Sequence, residues 1–170
     1  MSEPIRVVVV DDHSVVRTGL RTFLSVHADV EVVGEAGNGS EAIDVVADTH
    51  PDVVLMDLSM PVMDGPDAIE ALRSTSEARV VALTTFDDSS LARRALDAGA
   101  TGFLFKDAGE DELLSAIRLA HRGQSVIAPA AIPTRFEPIE SSQLPPTVID
   151  AVERTASPSN TRVANGWIAN

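Results

Sequence analysis

The chain has 170 residues, 44% of them hydrophobic, enough for one domain of about 100–150 residues with a buried core plus an appendage. It has no cysteine, which excludes disulfides and thiolate metal sites. The net charge of −13 is concentrated in residues 1–128, with 22 acidic and 10 basic side chains, so a phosphate backbone would repel it and no direct DNA binding is expected.

Met1-Ser2-Glu3-Pro4 has neither the basic start nor the apolar stretch of a leader peptide. No apolar run approaches the roughly 20 residues of a membrane span, so a cytoplasmic protein without membrane contact is the expectation. Ile5–Val10 is then the first strand, a β-branched run broken only by Arg6. Val16, Leu20, Phe23 and His27 fall on one stripe of a first helix. The mixed segment 30–35 reads as an edge strand, and Ala42, Val45 and Val46 mark the next helix, with Asn38 and Glu41 spaced as a capping box. Residues 53–56 form a third apolar run, and Pro66 suits the first turn of the helix after it. Residues 80–83 and Gly102–Phe105 are two further runs. Between them Leu91, Ala95 and Leu96 mark a fourth helix that Gly99 ends. Asp107 and Glu110 are candidate caps for a fifth helix, whose inner face is Leu113, Ile117 and Ala120.

Five βα units of this kind predict an α/β fold with a doubly wound parallel sheet, covered on both faces. The common five-stranded order is the flavodoxin-like 2-1-3-4-5. Beyond Ala128 the texture changes: six of the ten prolines lie in 129–170. That segment reads as a mostly irregular, linker-like tail, with a short helix near 147–154.

In such a sheet, ligands bind beyond the carboxyl ends of the strands, where the strand order reverses. Asp11 and Asp12 end the first strand and Asp57 ends the third, so three carboxylates converge there. Like charges raise each other's pKa, and a hard divalent cation is the natural remedy. Mg²⁺ suits oxygen ligands; zinc is a poor candidate, because the nearest imidazole, His13, belongs to a helix start. Thr84 and Lys106, at the ends of the fourth and fifth strands, add a hydroxyl and a cation. A carboxylate nucleophile, Mg²⁺, a hydroxyl donor and an ammonium are what phosphoryl transfer to Asp57 requires.

Four segments carry a family resemblance: Val7-Val8-Val9-Val10-Asp11-Asp12-His13, Asp57-Leu58-Ser59-Met60-Pro61-Val62-Met63-Asp64-Gly65, Ala82-Leu83-Thr84-Thr85, and Gly99-Ala100-Thr101-Gly102-Phe103-Leu104-Phe105-Lys106. Together they resemble the response-regulator receiver domain of two-component systems, over residues 4–127. The resemblance implies that Asp57 accepts phosphate from a sensor histidine kinase. It implies that Asp12, Asp57 and the backbone carbonyl of Ser59 ligate Mg²⁺, with Asp11 acting mainly through water. Thr84 and Lys106 would bind the phosphoryl group, and Phe103 occupies the place of the switch aromatic. The domain would assist only its own phosphorylation and dephosphorylation, switching homodimerisation or partner docking in transcriptional regulation.

Asp107 stands where many members have proline after the lysine. This is similar to the NarL/FixJ subgroup, as are Asp12-His13-Ser14-Val15-Val16-Arg17 and Leu83-Thr84-Thr85-Phe86-Asp87-Asp88. Members of that subgroup usually continue into a helix-turn-helix output domain. The 42 residues after Ala128 show no convincing recognition-helix pattern, so that domain is expected to be lost, truncated or replaced.

Each residue also has an ordinary reading. Asp11-Asp12 suits a strand-end turn, Phe103 a core aromatic, Asp64-Gly65 a structural turn, and His13, His27, His50 and His121 surface or helix-end positions. Two other functions compete. A Mg²⁺-dependent aspartyl-phosphate phosphatase would show Asp-x-Asp and a cap domain, where this chain has adjacent Asp11-Asp12. A non-phosphorylated binding module lacks support from any Gly-rich phosphate loop after the first strand.

Overall fold

A computed structural model describes residues 2–85 and 88–127. The expected readings of the tail, including the helix near 147–154, lie outside these residues. Strands β1 (Ile5–Val10), β2 (Val30–Ala36), β3 (Val53–Asp57), β4 (Arg79–Thr84) and β5 (Gly102–Phe105) alternate with helices α1 (Ser14–Ser25), α2 (Gly39–Thr49), α3 (Gly65–Thr75), α4 (Ser89–Ala98) and α5 (Glu110–His121). All strands pair in parallel, in the order β2-β1-β3-β4-β5, the predicted flavodoxin-like arrangement.

The continuous apolar runs are the central strands because helices cover both of their faces. Val7 to Val10 and residues 53–56 are fully buried. Each such side chain contributes about 1.5–3 kcal/mol relative to exposure. Mixed composition in 30–35 marks the edge: among the described residues β2 pairs only with β1, and the register of that pair slips between Val7 and Val8 of β1. Arg6, the one charge in the first run, is the exposed position of β1.

Local signals end the helices largely as expected. Asn38 Oδ1 accepts from the Glu41 N–H at 2.9 Å, while Glu41 Oε2 accepts from the Gly37 N–H at 2.8 Å. Gly99 closes α4 at φ 112°, where a side chain would be strained.

Three details differ from the sequence reading. Asp107 and Glu110 do not cap α5: the N-cap is Gly109, and Glu110, Asp111 and Glu112 lie in the first turn, where they act on the helix dipole. His27 lies beyond the end of α1, its ring edge-on to Phe23 with centroids 5.1 Å apart. A sixth strand, β6 (Val126–Ile127), extends the sheet parallel to β5. Gly123, at φ 75°, turns the chain back after α5. Gly102 lets β6 approach, since a Cβ there would collide with the Val126 carbonyl.

Candidate functional site

Register brings the strand ends together. Val10 is level with Met56 and Asp57 with Leu83, so Asp11 and Asp57 emerge side by side where the order reverses between β1 and β3. Thr84 is level with Phe105, and the Lys106 N–H donates to the Thr84 carbonyl at 2.8 Å, which sets Lys106 at the same rim. Leu58 leaves β3 with its N–H bonded to the Leu83 carbonyl at 3.2 Å, and its own carbonyl accepts from the Gly65 N–H at 3.0 Å.

Asp64-Gly65 is more than a turn. Asp64 caps α3 by accepting from the Asp67 N–H at 3.0 Å. At Gly65 a Cβ would stand 2.6 Å from the Asp57 carbonyl oxygen and 2.7 Å from Leu58 Cα. Only glycine lets the start of α3 press against the backbone that presents Asp57. In the intervening loop Val62 holds φ 71°, a left-handed conformation that costs a β-branched residue energy, with its side chain 86% exposed.

The structure brings Asp11, Asp12, Asp57 and Lys106 together. Asp11 is completely buried and Asp57 2% exposed, while Asp12 lies at the surface. Lys106 Nζ stands 2.8 Å from Asp11 Oδ2 and 3.2 Å from Asp57 Oδ1. Ser59 lies beside them, its N–H directed at Asp57 Oδ1 over 3.4 Å. Thr84 is buried, but its hydroxyl donates to the Thr85 carbonyl at 3.2 Å and leaves the carboxylates alone. Phe103 is buried on β5 and packs edge-on to Phe105, with ring centroids 6.2 Å apart. Strand register puts both rings on the face that carries Thr84.

Burial, then the negative charge of Asp11, pushes the Asp57 carboxyl up to about 6, against the opposing pull of Lys106 and the Ser59 N–H. Burial also pushes Asp11 upward, but the hydrogen bonds and charge of Lys106, together with the His13 N–H, outweigh it, and its pKa falls below the usual value. Burial works against charged Lys106, yet Asp11 and Asp57 more than compensate and raise its pKa. One ammonium is thus shared by two buried carboxylates, and Asp57 has the smaller share.

Asp57 Oδ2 is the one buried side-chain polar atom among the described residues with no hydrogen-bond partner. Such an atom calls for a ligand. Oxygens of Asp11, Asp12 and Asp57 lie within 4.8 Å of one another, a hard-donor set that fits a small divalent cation. His13, expected only as a helix-start residue, joins that cluster: its Nδ1 is 3.1 Å from Asp11 Oδ1 and 3.1 Å from Asp12 Oδ1. Its place directly after the acidic pair was the available signal. Which way the ring turns was not legible.

A flavodoxin-like sheet with an acidic rim and an invading lysine at the strand-order reversal defines a receiver-type signalling domain. Comparison with known proteins agrees. Residues 7–118 match the response regulator receiver domain. The chain is 43% identical over 130 residues to the transcriptional regulatory protein YhcZ of Bacillus subtilis, covering 76% of this chain and 60% of that one. It is 44% identical over 126 residues to the response regulator GacA of Pseudomonas viridiflava, covering 74% and 59%. The signal receiver domain of NarL from Mycobacterium tuberculosis superposes with a TM-score of 0.69 at 39% identity, covering 72% of this chain and all of that one. The chain belongs to the response-regulator receiver family of two-component systems, with transcriptional regulators among its relatives. It spans about three-fifths of the length of these curated relatives. Among the described residues no helix is long and apolar enough to cross a membrane.

Proposed function

We propose that Asp57 is a phosphate acceptor and that its phosphorylation switches how this domain docks with itself or with partners. The observation that carries this reading is the unpartnered, buried Oδ2 of Asp57 beside the Lys106 ammonium. A carboxylate oxygen of Asp57 attacks phosphorus, the bond from phosphorus to the donor's leaving atom breaks, and an acyl phosphate results. The donor is a sensor histidine kinase, as the family suggests.

Asp12, Asp57 and the Ser59 backbone carbonyl would hold Mg²⁺, with Asp11 assisting through water. Bound there, Mg²⁺ supplies positive charge to the phosphoryl oxygens. Lys106 moves from the two carboxylates onto the phosphoryl group, which by then has replaced the free carboxylate at Asp57. Thr84 exchanges its bond to the Thr85 carbonyl for one to a phosphoryl oxygen. Phe103, on the same face, follows into the space that the hydroxyl leaves. The output is repacking around α4, β5 and α5, since the phosphate shifts the equilibrium by the contacts that differ between two states.

The functional unit is residues 4–127. Its acidic surface suits a role through protein partners in transcriptional control, without direct DNA contact by this unit. It completes no catalytic cycle on a separate substrate.

Incubation with Mg²⁺ and acetyl phosphate, followed by intact-mass spectrometry, tests the reading. A gain of one phosphoryl group is expected for the wild type and none for Asp57→Asn. An equal gain in the variant would refute Asp57 as the acceptor.

A further inference from the structure

The phosphate-acceptor reading leaves one donor at the rim unused. His13 precedes the first turn of α1, and its backbone N–H donates to Asp11 Oδ1 at 2.8 Å. Its ring turns back toward the acids, with Nδ1 3.1 Å from an oxygen of each of Asp11 and Asp12. The side chain is 66% exposed, so packing does not force it there. Ligand atoms from Asp11, Asp12, His13 and Asp57 all lie within 4.8 Å of one another. Two ligands of one ion, each about 2.0–2.2 Å from it, stand at most about 4.4 Å apart, so small adjustments bring all four onto a common centre. Independently, Asp57 is 2% exposed and its Oδ2 has no partner.

We propose that His13 Nδ1 is a metal ligand, and that this rim binds imidazole-accepting divalent transition ions of the Ni²⁺, Cu²⁺ and Zn²⁺ class in competition with Mg²⁺. The inference rests on the reading that the rim holds a divalent ion. Mg²⁺ favours oxygen and keeps several waters, so it has little use for the ring. Transition ions favour imidazole nitrogen and bind more tightly along the series toward Cu²⁺. Without an ion Nδ1–H faces the two carboxylates as a hydrogen-bond donor; an ion between them takes the place of that proton, and the ring then carries its proton on Nε2. His13 is therefore a residue that decides which ion the site accepts.

The test uses the full chain, its His13→Gln variant and Cu²⁺, Ni²⁺ and Mg²⁺ as probes. Electron paramagnetic resonance with one equivalent of Cu²⁺ should show coupling to an imidazole nitrogen, lost in His13→Gln. Calorimetry should show Ni²⁺ affinity falling about tenfold or more in the variant, with Mg²⁺ affinity within about twofold of wild type. Excess Mg²⁺ should displace Ni²⁺ from the wild type, which distinguishes this site from His27, His50 and His121. Unchanged nitrogen coupling and Ni²⁺ affinity in the variant, with Mg²⁺ binding intact, would overturn the role of His13 alone. Failure of every ion to bind would overturn both this inference and the divalent-ion reading, whereas His13-dependent Ni²⁺ binding without Mg²⁺ binding would uphold His13 as a ligand and overturn both the competition with Mg²⁺ and the Mg²⁺ assignment.

Discussion

Replacing Asp57 by Asn should make the metal-free protein more stable, although it removes the proposed phosphate acceptor. Its carboxyl, ordinarily near 3.8, is pushed up to about 6 in the fold. That gap corresponds to about 3 kcal/mol of unfavourable charge burial above pH 6. The sign follows from proton binding. Between about pH 4 and pH 6 the unfolded chain loses the proton while the folded chain keeps it, so wild-type stability falls as pH rises through this window. Asn removes that cost. Lys106 remains paired with Asp11 at 2.8 Å, so the ammonium is not orphaned. One amide group must settle where Oδ2 has no partner, at a cost of about 1–2 kcal/mol. The net expectation is a gain of about 1–2 kcal/mol at pH 7.5. Urea unfolding in chelator would show it as a midpoint higher by roughly 0.5–1 M. At pH 4 the gain should be gone and only the cost of the amide should remain, leaving the variant less stable by about 1–2 kcal/mol, because the folded wild type is then neutral at this position. A variant no more stable than wild type at pH 7.5, or a gain that persists at pH 4, would refute the electrostatic account.

Other substitutions probe the supports of the site. Lys106→Met leaves two buried carboxylates without their cation and should cost about 3 kcal/mol in chelator, measured by urea unfolding at pH 7.5. Gly65→Ala places a methyl against the Asp57 carbonyl and Leu58 Cα; a loss of about 1–3 kcal/mol is expected in thermal melts, with slower phosphoryl uptake from acetyl phosphate. Asn38→Ala removes the cap of α2 and should cost about 1 kcal/mol without altering Mg²⁺ affinity by calorimetry. Val62→Gly relieves a left-handed backbone at little loss of packing, since the side chain is exposed; a gain of about 0.5–1 kcal/mol in urea would bear this out.

Much of this protein is legible in its sequence, for a physical reason that differs by feature. Strands buried on both faces must be continuously apolar, so the runs at Ile5–Val10 and Gly102–Phe105 reveal themselves. Caps such as Asn38 and stops such as Gly99 act within a few residues, so local spacing reveals them too. The convergence of Asp11, Asp57, Thr84 and Lys106 follows once the strand order is granted, because each residue ends a strand at the same sheet edge. A two-residue strand such as β6 has no periodicity to read. It exists because Gly123 turns the chain and Gly102 admits it. The cap of α5 fell to Gly109 because the turn after β5 advanced the helix start past Asp107.

The sequence by itself determined the alternation of elements and the inventory of groups at the acidic rim. Only the tertiary structure decided how those groups share their charges: Lys106 bound to Asp11 and Asp57, Oδ2 of Asp57 left without a partner, Thr84 turned to its own chain, and His13 drawn onto the two acids. Apolar patterning is a local, repeated signal that backbone hydrogen bonding converts directly into strands and helices. The pairing of charges depends on distances of a few ångströms between residues far apart in sequence, and packing alone sets those.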